Sequence, residues 1–403
     1  LKKIKVIFRW TKYNHYTLAA IFGFLDQSLE KNRFEIMTGE DGADISRKIN
    51  SSDLKPCIVA YSFASTEFDA VSKEIAELKR VHGKDAVVIC GGPHATALPE
   101  SCIKAGADAV FIGEAEESFP AFLSSFSQAM RLPDERVIQP LPLKDFDSYP
   151  PFSIERKFFG PLELRRGCFN GCVFCQTPGI FKRVRERSIN FVKKYVQCMK
   201  AEKRKRVIFT IPDVLSYGLK GSMVNLPHIE NFLAQMAELD MQILLGSFPS
   251  EVFPARLAKH PEAAGLLKRY VTNKTIIVGG QSGSDRVLGL MKRNHSVKDI
   301  EDSARILREA GFAPIVDIML GISGETRQDR KDTLKLMKNL SKHFNSRFNV
   351  HYFMPLPGTP FHNAKPETIE DDIKNEIYTM MKHGKASGDF FTQMDFAGGS
   401  HNG

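Results

Sequence analysis

Leu162-Glu163-Leu164-Arg165-Arg166-Gly167-Cys168-Phe169-Asn170-Gly171-Cys172-Val173-Phe174-Cys175 places three cysteines within one short loop. An apolar β-type run, Leu162–Arg165, leads straight into it. Cysteine thiolates are soft ligands suited to zinc or to iron–sulfur iron. Gly167 and Gly171 let the loop curl so that the three sulfurs converge. Three thiolates can hold three corners of a 4Fe–4S cube and leave the fourth iron open to a substrate or cofactor. The alternative is structural zinc, which wants four ligands. No fourth cysteine lies close by, Cys198 shares the apolar stripe of a helix with Tyr195, and His94 and His295 are distant in the chain. Seven cysteines, an odd and unevenly spaced set, also argue against a secreted disulfide framework.

Outward from the loop, β and α segments alternate. Strands are predicted at Leu162–Arg165, Arg206–Ile211, Gln242–Gly246, Thr275–Gly279, Ala313–Leu320 and Arg347–Phe353. One intervening helix opens on the capping box Ser296-Val297-Lys298-Asp299, turns Val297, Ile300, Ala304 and Leu307 inward and stops at Gly311. These βα units over residues 161–365 fit a partial (β/α)6 barrel, with function on the loops at the strands' C-terminal ends. Residues 366–403 read as one helix, Ile369–Lys382, and a mobile Gly- and Ser-rich end.

The C-x3-C-x2-C loop with Phe174 before its last cysteine resembles the radical S-adenosylmethionine (SAM) superfamily. The resemblance implies a 4Fe–4S cluster held by Cys168, Cys172 and Cys175, and SAM chelating its fourth iron. Reductive cleavage would then yield methionine and a 5′-deoxyadenosyl radical that abstracts hydrogen from an unactivated carbon. Further motifs follow in the family's order. Ile211-Pro212-Asp213 ends the second barrel strand, where the family meets the SAM amino end. Phe248-Pro249-Ser250-Glu251 ends the next, its polar pair suited to the ribose or carboxylate. Gly279-Gly280-Gln281-Ser282-Gly283-Ser284 with Met291-Lys292-Arg293 resembles the family's G-x-(E/Q)-S-G-S…M-x-R stretch, which implies Arg293 for the methionyl carboxylate. Gly321-Ile322-Ser323-Gly324-Glu325-Thr326 is similar to G-x-P-G-E-T with Ser323 for proline, and Pro355-Leu356-Pro357-Gly358-Thr359-Pro360 to P-x-P-G-T-P. Taken singly, such stretches read equally well as turns and solvated loops; their order is what counts. Tyr352 and Tyr378 fall in segments able to close the barrel mouth, as proton donor or gate, with simple packing as the default.

Residues 1–130 carry five shorter β/α units. Strands are expected at Lys3–Phe8, Phe34–Met37, Cys57–Phe63, Ala86–Cys90 and Ala109–Ile112, with a capping box at Thr66–Asp69. Near-continuous apolar strands such as Cys57–Phe63 are those a parallel sheet buries on both faces. The expected fold is therefore α/β, an open doubly wound (Rossmann-like) sheet ahead of the barrel. The prolines of residues 131–160 suggest a linker. Cys57, Cys90 and Cys102 are auxiliary-cluster candidates, better read as small core hydrophobes.

Gly91-Gly92-Pro93-His94-Ala95-Thr96, with Gly113-Glu114 some way on, is similar to the cobalamin-binding domain that precedes one class of radical SAM enzymes. Glycines at a strand end admit a bulky ligand to the backbone, and Ser62, Ser65 and Thr66 offer hydroxyls and a helix N-terminus to a phosphate-bearing tail. The D-x-H-x-x-G motif that gives cobalt an axial histidine in many cobalamin proteins is absent. The corresponding loop contains Tyr13, Asn14 and His15, and a packed or solvated His15 outweighs a cobalt ligand. The expectation is a cobalamin whose lower face is free or shielded by this loop, which favours radical attack on methylcobalt; loss of cobalamin stays open.

Lys plus Arg total 56 against 47 for Asp plus Glu, a modestly basic balance that suits an anionic cofactor, an acidic partner or RNA. The basic runs around Lys182–Arg187 and Lys200–Arg206 lack interleaved aromatics and read as solvated faces more than an RNA path. No apolar run reaches the ~18 residues of a membrane span, and Leu1-Lys2-Lys3-Ile4 opens a strand, so a cytoplasmic location without membrane partners is expected. The similarity implies a cobalamin-dependent radical SAM methyltransferase, in which one SAM methylates cobalamin and a second is cleaved at the cluster by an external one-electron reductant. The short chain looks like archaeal members of this class, among which are enzymes that C-methylate a residue, such as glutamine, of methyl-coenzyme M reductase, so a peptide or protein substrate is expected. The alternatives are a tRNA or protein methylthiotransferase, which needs a second cysteine set and usually an RNA-binding β-domain after Pro360, and a zinc-stabilised RNA-binding module.

Overall fold

The computed structural model describes residues 3–29 and 33–399. They form two compact units, Leu1–Pro161 with Gln176–Lys182 and Leu162–Cys175 with Arg183–Gly403. Expectations for Leu1, Lys2 and residues 400–403 lie outside the described residues.

In the first unit the apolar runs become parallel strands β1 Ile4–Arg9, β2 Phe34–Gly39, β3 Cys57–Ser62, β4 Ala86–Gly91, β5 Ala109–Phe111 and β6 Val137–Ile138. Their order is β2-β1-β3-β4-β5-β6, the doubly wound arrangement expected. Strand order reverses between β1 and β3, and in such sheets ligands sit beyond the carboxyl ends there. Because side chains alternate along each strand, two cores form. Val6, Phe8, Ile58 and Ile89 pack under Leu18 and Phe22 of the helix His15–Ser28. Ile7, Val59, Tyr61 and Val88 pack with Ile75 and Leu78 of the helix Phe68–His82. Cys57, Cys90 and Cys102 lie in this second core, as small hydrophobes.

Two expectations are corrected here. Residues 131–160 are part of the first unit rather than a linker: β6 pairs with β5, and Phe146 and Tyr149 are buried in its core. Prolines forbid one long element there but not a short edge strand. The predicted capping box at Thr66 is instead a 3₁₀ turn, Ser65–Glu67, whose Glu67 carboxylate accepts the Ala64 N–H at 3.0 Å.

In the second unit, β7 Leu162–Glu163 leads to a small antiparallel ribbon of β8 Arg165–Arg166 and β9 Arg185–Glu186. The remaining strands are β10 Arg206–Thr210, β11 Gln242–Leu244, β12 Thr275–Gln281, β13 Ala313–Leu320, β14 Arg347–Tyr352 and β15 Ala386–Ser387. Two parallel sheets, β11-β10-β7 and β12-β13-β14-β15, are joined by a parallel bridge between Val252 and Val278. The Ile277 N–H to Gly246 carbonyl bond of 2.7 Å adds to it. The strands thus follow chain order around an open partial barrel. Amphipathic helices cover the outside: Ile300, Ala304 and Leu307 of Val297–Glu309 are buried. That helix starts at the expected box, where Asp299 N–H donates to Ser296 Oγ (3.2 Å) and Ser296 N–H to Asp299 Oδ2 (2.8 Å). The basic run before Ile189 is no continuous solvated face, since Arg187 is buried with its guanidinium over Phe191.

The end of the chain departs from the mobile tail expected. After the helix Asp371–Lys382, β15 joins β14 and a further helix spans Phe390–Gly399. Phe390 is fully buried edge-on to Tyr352, and Gln393 Oε1 accepts the Tyr352 N–H at 2.8 Å. No helix among the described residues is long and apolar enough to cross a membrane.

Candidate active site

The cysteine loop is fixed from both ends. Gly167 has φ +84°, and a Cβ there would stand 2.9 Å from the Arg183 carbonyl oxygen, so only glycine lets the loop leave β8 so close to the ribbon. Val173 N–H donates to the Met291 carbonyl (3.2 Å), and its own carbonyl accepts Phe361 N–H (3.3 Å). Phe174 packs against the cluster of Val287, Met291, Ile322 and Phe353, so the family's aromatic is here a core anchor of the loop.

None of the three thiols is in a disulfide; Cys172 is buried and Cys168 and Cys175 are partly exposed. Burial pushes the Cys168 and Cys172 thiols up, and the three sulfurs crowd one another's charge. Two donors oppose this. Arg293 Nη1 donates to Cys172 Sγ at 3.3 Å, and Asn170 N–H to Cys168 Sγ at 3.4 Å. Three thiols on one loop, with a guanidinium on one of them, fit iron by their chemistry, because coordination deprotonates a thiol outright; among the described residues their side chains are not yet gathered into a metal-holding group.

Around the loop stand groups from the barrel rim. Asp213, at the end of β10, is fully buried and accepts the Leu215 and Phe253 N–H groups, both at 3.2 Å. Burial raises its pKa and its ion pair with Arg256 opposes that. Arg256 in turn donates to Asn170 Oδ1 (3.4 Å), so Asp213 reaches the cysteine loop through Arg256. Arg293 also donates from Nη2 to the Gly279 carbonyl (2.6 Å), lies over the Phe253 ring at 4.6 Å, and keeps a buried Nε without a partner among the described residues. Glu251 is pushed up to about 7 by burial, against the pull of Arg293. Its carboxylate fills the space at Gly279, 2.7 Å from where a Cβ would be. The strand register shifts between Val278 and Gln281, and buried Gln281 adopts φ +70°, a strained setting of the kind found at functional sites.

Several residues expected at the ligands are occupied by the fold. Ser250 Oγ donates to the Phe209 carbonyl (2.8 Å) and accepts Ile211 N–H (3.1 Å), stitching its loop to β10. Ser282 Oγ meets Thr333 Oγ1 (3.3 Å) and accepts Ser284 N–H (3.2 Å). Tyr352 packs on Gly321 and donates its hydroxyl to the Glu367 carbonyl at 3.0 Å. Tyr378 is exposed on the helix Asp371–Lys382, beside Phe391. The structure thus gives Tyr352 a packing position and leaves Tyr378 on the surface.

At the rim of the first unit, Gly92 has φ +92° and approaches the backbone of Phe63 so closely that a Cβ would lie 2.9 Å from its nitrogen. Thr96 Oγ1 donates to the Gly92 carbonyl (2.9 Å) and accepts Gly113 N–H (3.0 Å), tying the β4 and β5 ends together. Ser62, Gly91 and Glu114 stay half-buried and Thr66 is exposed, as is Tyr13. Asn14 is buried and donates to the Arg9 (2.8 Å) and Ser62 (3.1 Å) carbonyls, so it shapes the rim rather than meeting a ligand. His15 bonds Trp10 Nε1 through Nδ1 (3.3 Å) and the Phe159 carbonyl through Nε2 (2.9 Å), packed on Phe158. His94 is stacked on Phe68, with Nδ1 on Ser65 Oγ (3.1 Å) and Nε2 on Ser101 Oγ (2.9 Å). Both ring nitrogens of each histidine are consumed within the unit, which leaves neither as an axial ligand in this arrangement.

Residues 162–337 match the family model of the radical SAM superfamily, and residues 14–123 match that of the B12 binding domain. The chain carries a radical SAM domain and a B12-binding domain. Its fold resembles TsrM from Kitasatospora setae, a radical S-adenosylmethionine methyltransferase solved with cobalamin and a [4Fe-4S] cluster (TM-score 0.65, 14% identity, 90% of this chain and 77% of that one). It also resembles the cobalamin-dependent radical enzyme OxsB solved with aqua-cobalamin and S-adenosylmethionine (TM-score 0.64, 11% identity, 99% of this chain and 56% of that one). In sequence it is 27% identical to an uncharacterized protein of Methanopyrus kandleri over 335 residues (68% of this chain, 62% of the relative). It is also 27% identical to the tRNA-2-methylthio-N(6)-dimethylallyladenosine synthase of Pseudomonas syringae pv. syringae over 284 residues (68% and 61%). The chain therefore spans less than two thirds of these relatives' length.

The two matched domains imply a 4Fe–4S cluster and SAM for the second unit and cobalamin for the first. Sequence reasoning passed over Arg256 and Asn170, and three polar side chains of the barrel wall, Asp317, Asn349 and His351. A signal for the wall was present: a carboxylate in the middle of the apolar run Ala313–Leu320, and Asn349 and His351 two apart in the next strand.

Proposed function

We propose that the chain is a C-methyltransferase that places a methyl group on an unactivated carbon of a peptide or protein residue, a glutamine-bearing peptide being the first class to test. When bound, the cluster and SAM supply hydrogen-atom abstraction and cobalamin supplies the methyl group. The protein's part is to position them: Cys168, Cys172 and Cys175 hold iron, Arg293 sets a positive charge beside Cys172, and Asp213 steadies the loop through Arg256 and Asn170.

One observation carries the reading against a methylthiotransferase. Of the four cysteines outside the loop, Cys57, Cys90 and Cys102 are enclosed in one apolar core, and Cys198 sits on the helix Ile189–Ala201. These four are spread over separate elements and repeat no C-x3-C-x2-C loop, the second cysteine set that a sulfur-inserting enzyme needs. The second reading keeps support from the name of the Pseudomonas relative.

The test is purification without oxygen, metal counting and product analysis. With an external one-electron reductant, SAM and a pool of short glutamine-bearing peptides, a product heavier by one methylene together with about four irons and bound corrinoid supports methyl transfer. About eight irons without cobalt, and a methylthio product, supports the alternative. Zinc alone sinks both.

A further inference from the structure

β13 and β14 alternate strictly between two environments. Val316, Ile318 and Leu320, and Phe348, Val350 and Tyr352, are buried, while Asp317, Met319, Asn349 and His351 are only half-buried. The first set faces the helical layer, for a Cβ on Gly280 would touch both Val316 and Ile300 of the helix Val297–Glu309. The second set faces the opposite way, toward Glu251 and Arg293, whose charges both act on this face. Asp317 pairs with Asn349, and Met319 with His351, in register.

This face carries a hydrogen-bonded row. Asn349 Nδ2 donates to Asp317 Oδ1 (2.8 Å), and Ser387 Oγ of β15 donates to Asn349 Oδ1 (2.9 Å). The two bonds fix which way the Asn349 amide is turned and leave it one N–H. His351, two residues further on and so about 7 Å along the strand on the same face, has no hydrogen-bond partner among the described residues. The His351 ring acts electrostatically on Asp317, yet its ring nitrogens and the second Asn349 N–H carry no hydrogen bond among the described residues. Polar groups exposed to a site and left unmatched are the ones that discriminate between ligands, because a ligand lacking the complement leaves them unpaired.

We propose that Asn349 and His351, oriented through Asp317 and Ser387, are substrate-positioning residues that take a carboxamide or peptide amide: the Asn349 N–H donates to its oxygen and the His351 ring bonds its nitrogen side. The inference rests on the methyltransferase reading above and names the polar group that the methylated carbon accompanies. Arg293 faces the same wall as the carboxyl groups of Asp317 and Glu251, which burial pushes toward their neutral forms, so the wall carries little net charge. A neutral group with a donor and an acceptor is what the two free partners match.

The test uses the anaerobic holoenzyme and calorimetric titration with N-acetylglutamine methylamide, beside N-acetyllysine methylamide and SAM. The expected result is saturable carboxamide binding that weakens tenfold or more in Asn349→Leu and in His351→Phe, with recovery in His351→Gln, which restores a donor and an acceptor. Equal or greater loss of SAM affinity in the same variants would assign the wall to the cofactor and overturn the proposal, as would tighter binding of the lysine probe. Carboxamide binding that responds to these variants in an enzyme yielding no methylated product keeps the wall and rejects the methyltransferase reading. Methylation of some other class of compound, with no carboxamide binding, does the reverse. Iron content and circular dichroism identify any variant that fails to fold, and His351→Gln then carries the decision.

Discussion

Arg293 illustrates how much one side chain does here. It touches the Cys172 sulfur, the carbonyl of Gly279 and the ring of Phe253, and its field opposes the burial of Glu251. Cys172→Ala should abolish SAM cleavage and lower bound iron; anaerobic 5′-deoxyadenosine assays and iron analysis check it, and surviving cleavage would refute the cluster assignment. His295 gives a second residue-scale prediction. It is buried, bonds the Gly280 carbonyl at 3.0 Å, and is held at about 4 by burial, with Arg293 adding to the depression and Asp299 opposing it. A folded value below the ordinary 6.5 means the unfolded chain takes up the proton first. Stability from this group is complete above pH 6.5 and falls as pH drops toward 4, by roughly 3 kcal/mol in all. Denaturant midpoints at pH 7.5 and 5 should therefore converge in His295→Gln relative to the parent; equal acid loss in both would refute it. Glu251 and Glu325, raised to about 7 by burial, act in the opposite sense in both proteins and cancel in the comparison.

Glycines at the ends of strands separate two kinds of constraint at the scale of the element. A Cβ on Gly283 would stand 2.5 Å from the Thr333 Cα, and one on Gly92 meets the Phe63 backbone. Neither neighbour can move, so Gly283→Ala should destabilise by about 1–3 kcal/mol, measured by chemical unfolding. At Gly279 the obstacle is the movable Glu251 carboxylate. Gly279→Ala should therefore fold normally yet bind SAM several-fold more weakly, by calorimetry. Ser250→Ala should lose about 1–3 kcal/mol, because it strands the buried Ile211 N–H. The same residues show what a sequence reveals. Strand runs and the Ser296 box were legible because periodicity and capping are local. Ser250 and Ser282 looked like ligand groups, since residue type does not disclose that a hydroxyl is already engaged by a neighbouring strand or helix. β15 escaped notice because two residues carry no period, and its place comes from β14. Asp317 was visible as a charge in an apolar strand, but its partners Asn349 and Ser387 come from two other strands.

For the molecule as a whole, order along the chain was the most readable property. Five βα units followed by six longer ones specify a doubly wound sheet and an open barrel, and both are present. The division was less readable: residues 131–160 are bound into the first unit by β6, Phe146 and Tyr149. Cobalamin supplied at a hundredfold excess over its Kd should stabilise the protein by about 2.7 kcal/mol, read as a rise in unfolding temperature by calorimetry.

The short cover over β14 has a practical corollary. On its edge away from β13, β14 pairs among the described residues with Ala386 and Ser387, while the Lys385 carbonyl takes the Phe348 amide and Gln393 the Tyr352 amide. Clipping by a protease before residue 386 would bare a hydrophobic sheet margin, which is a template for pairing with another chain. Preparations nicked in this way should self-associate during storage, even with their iron intact.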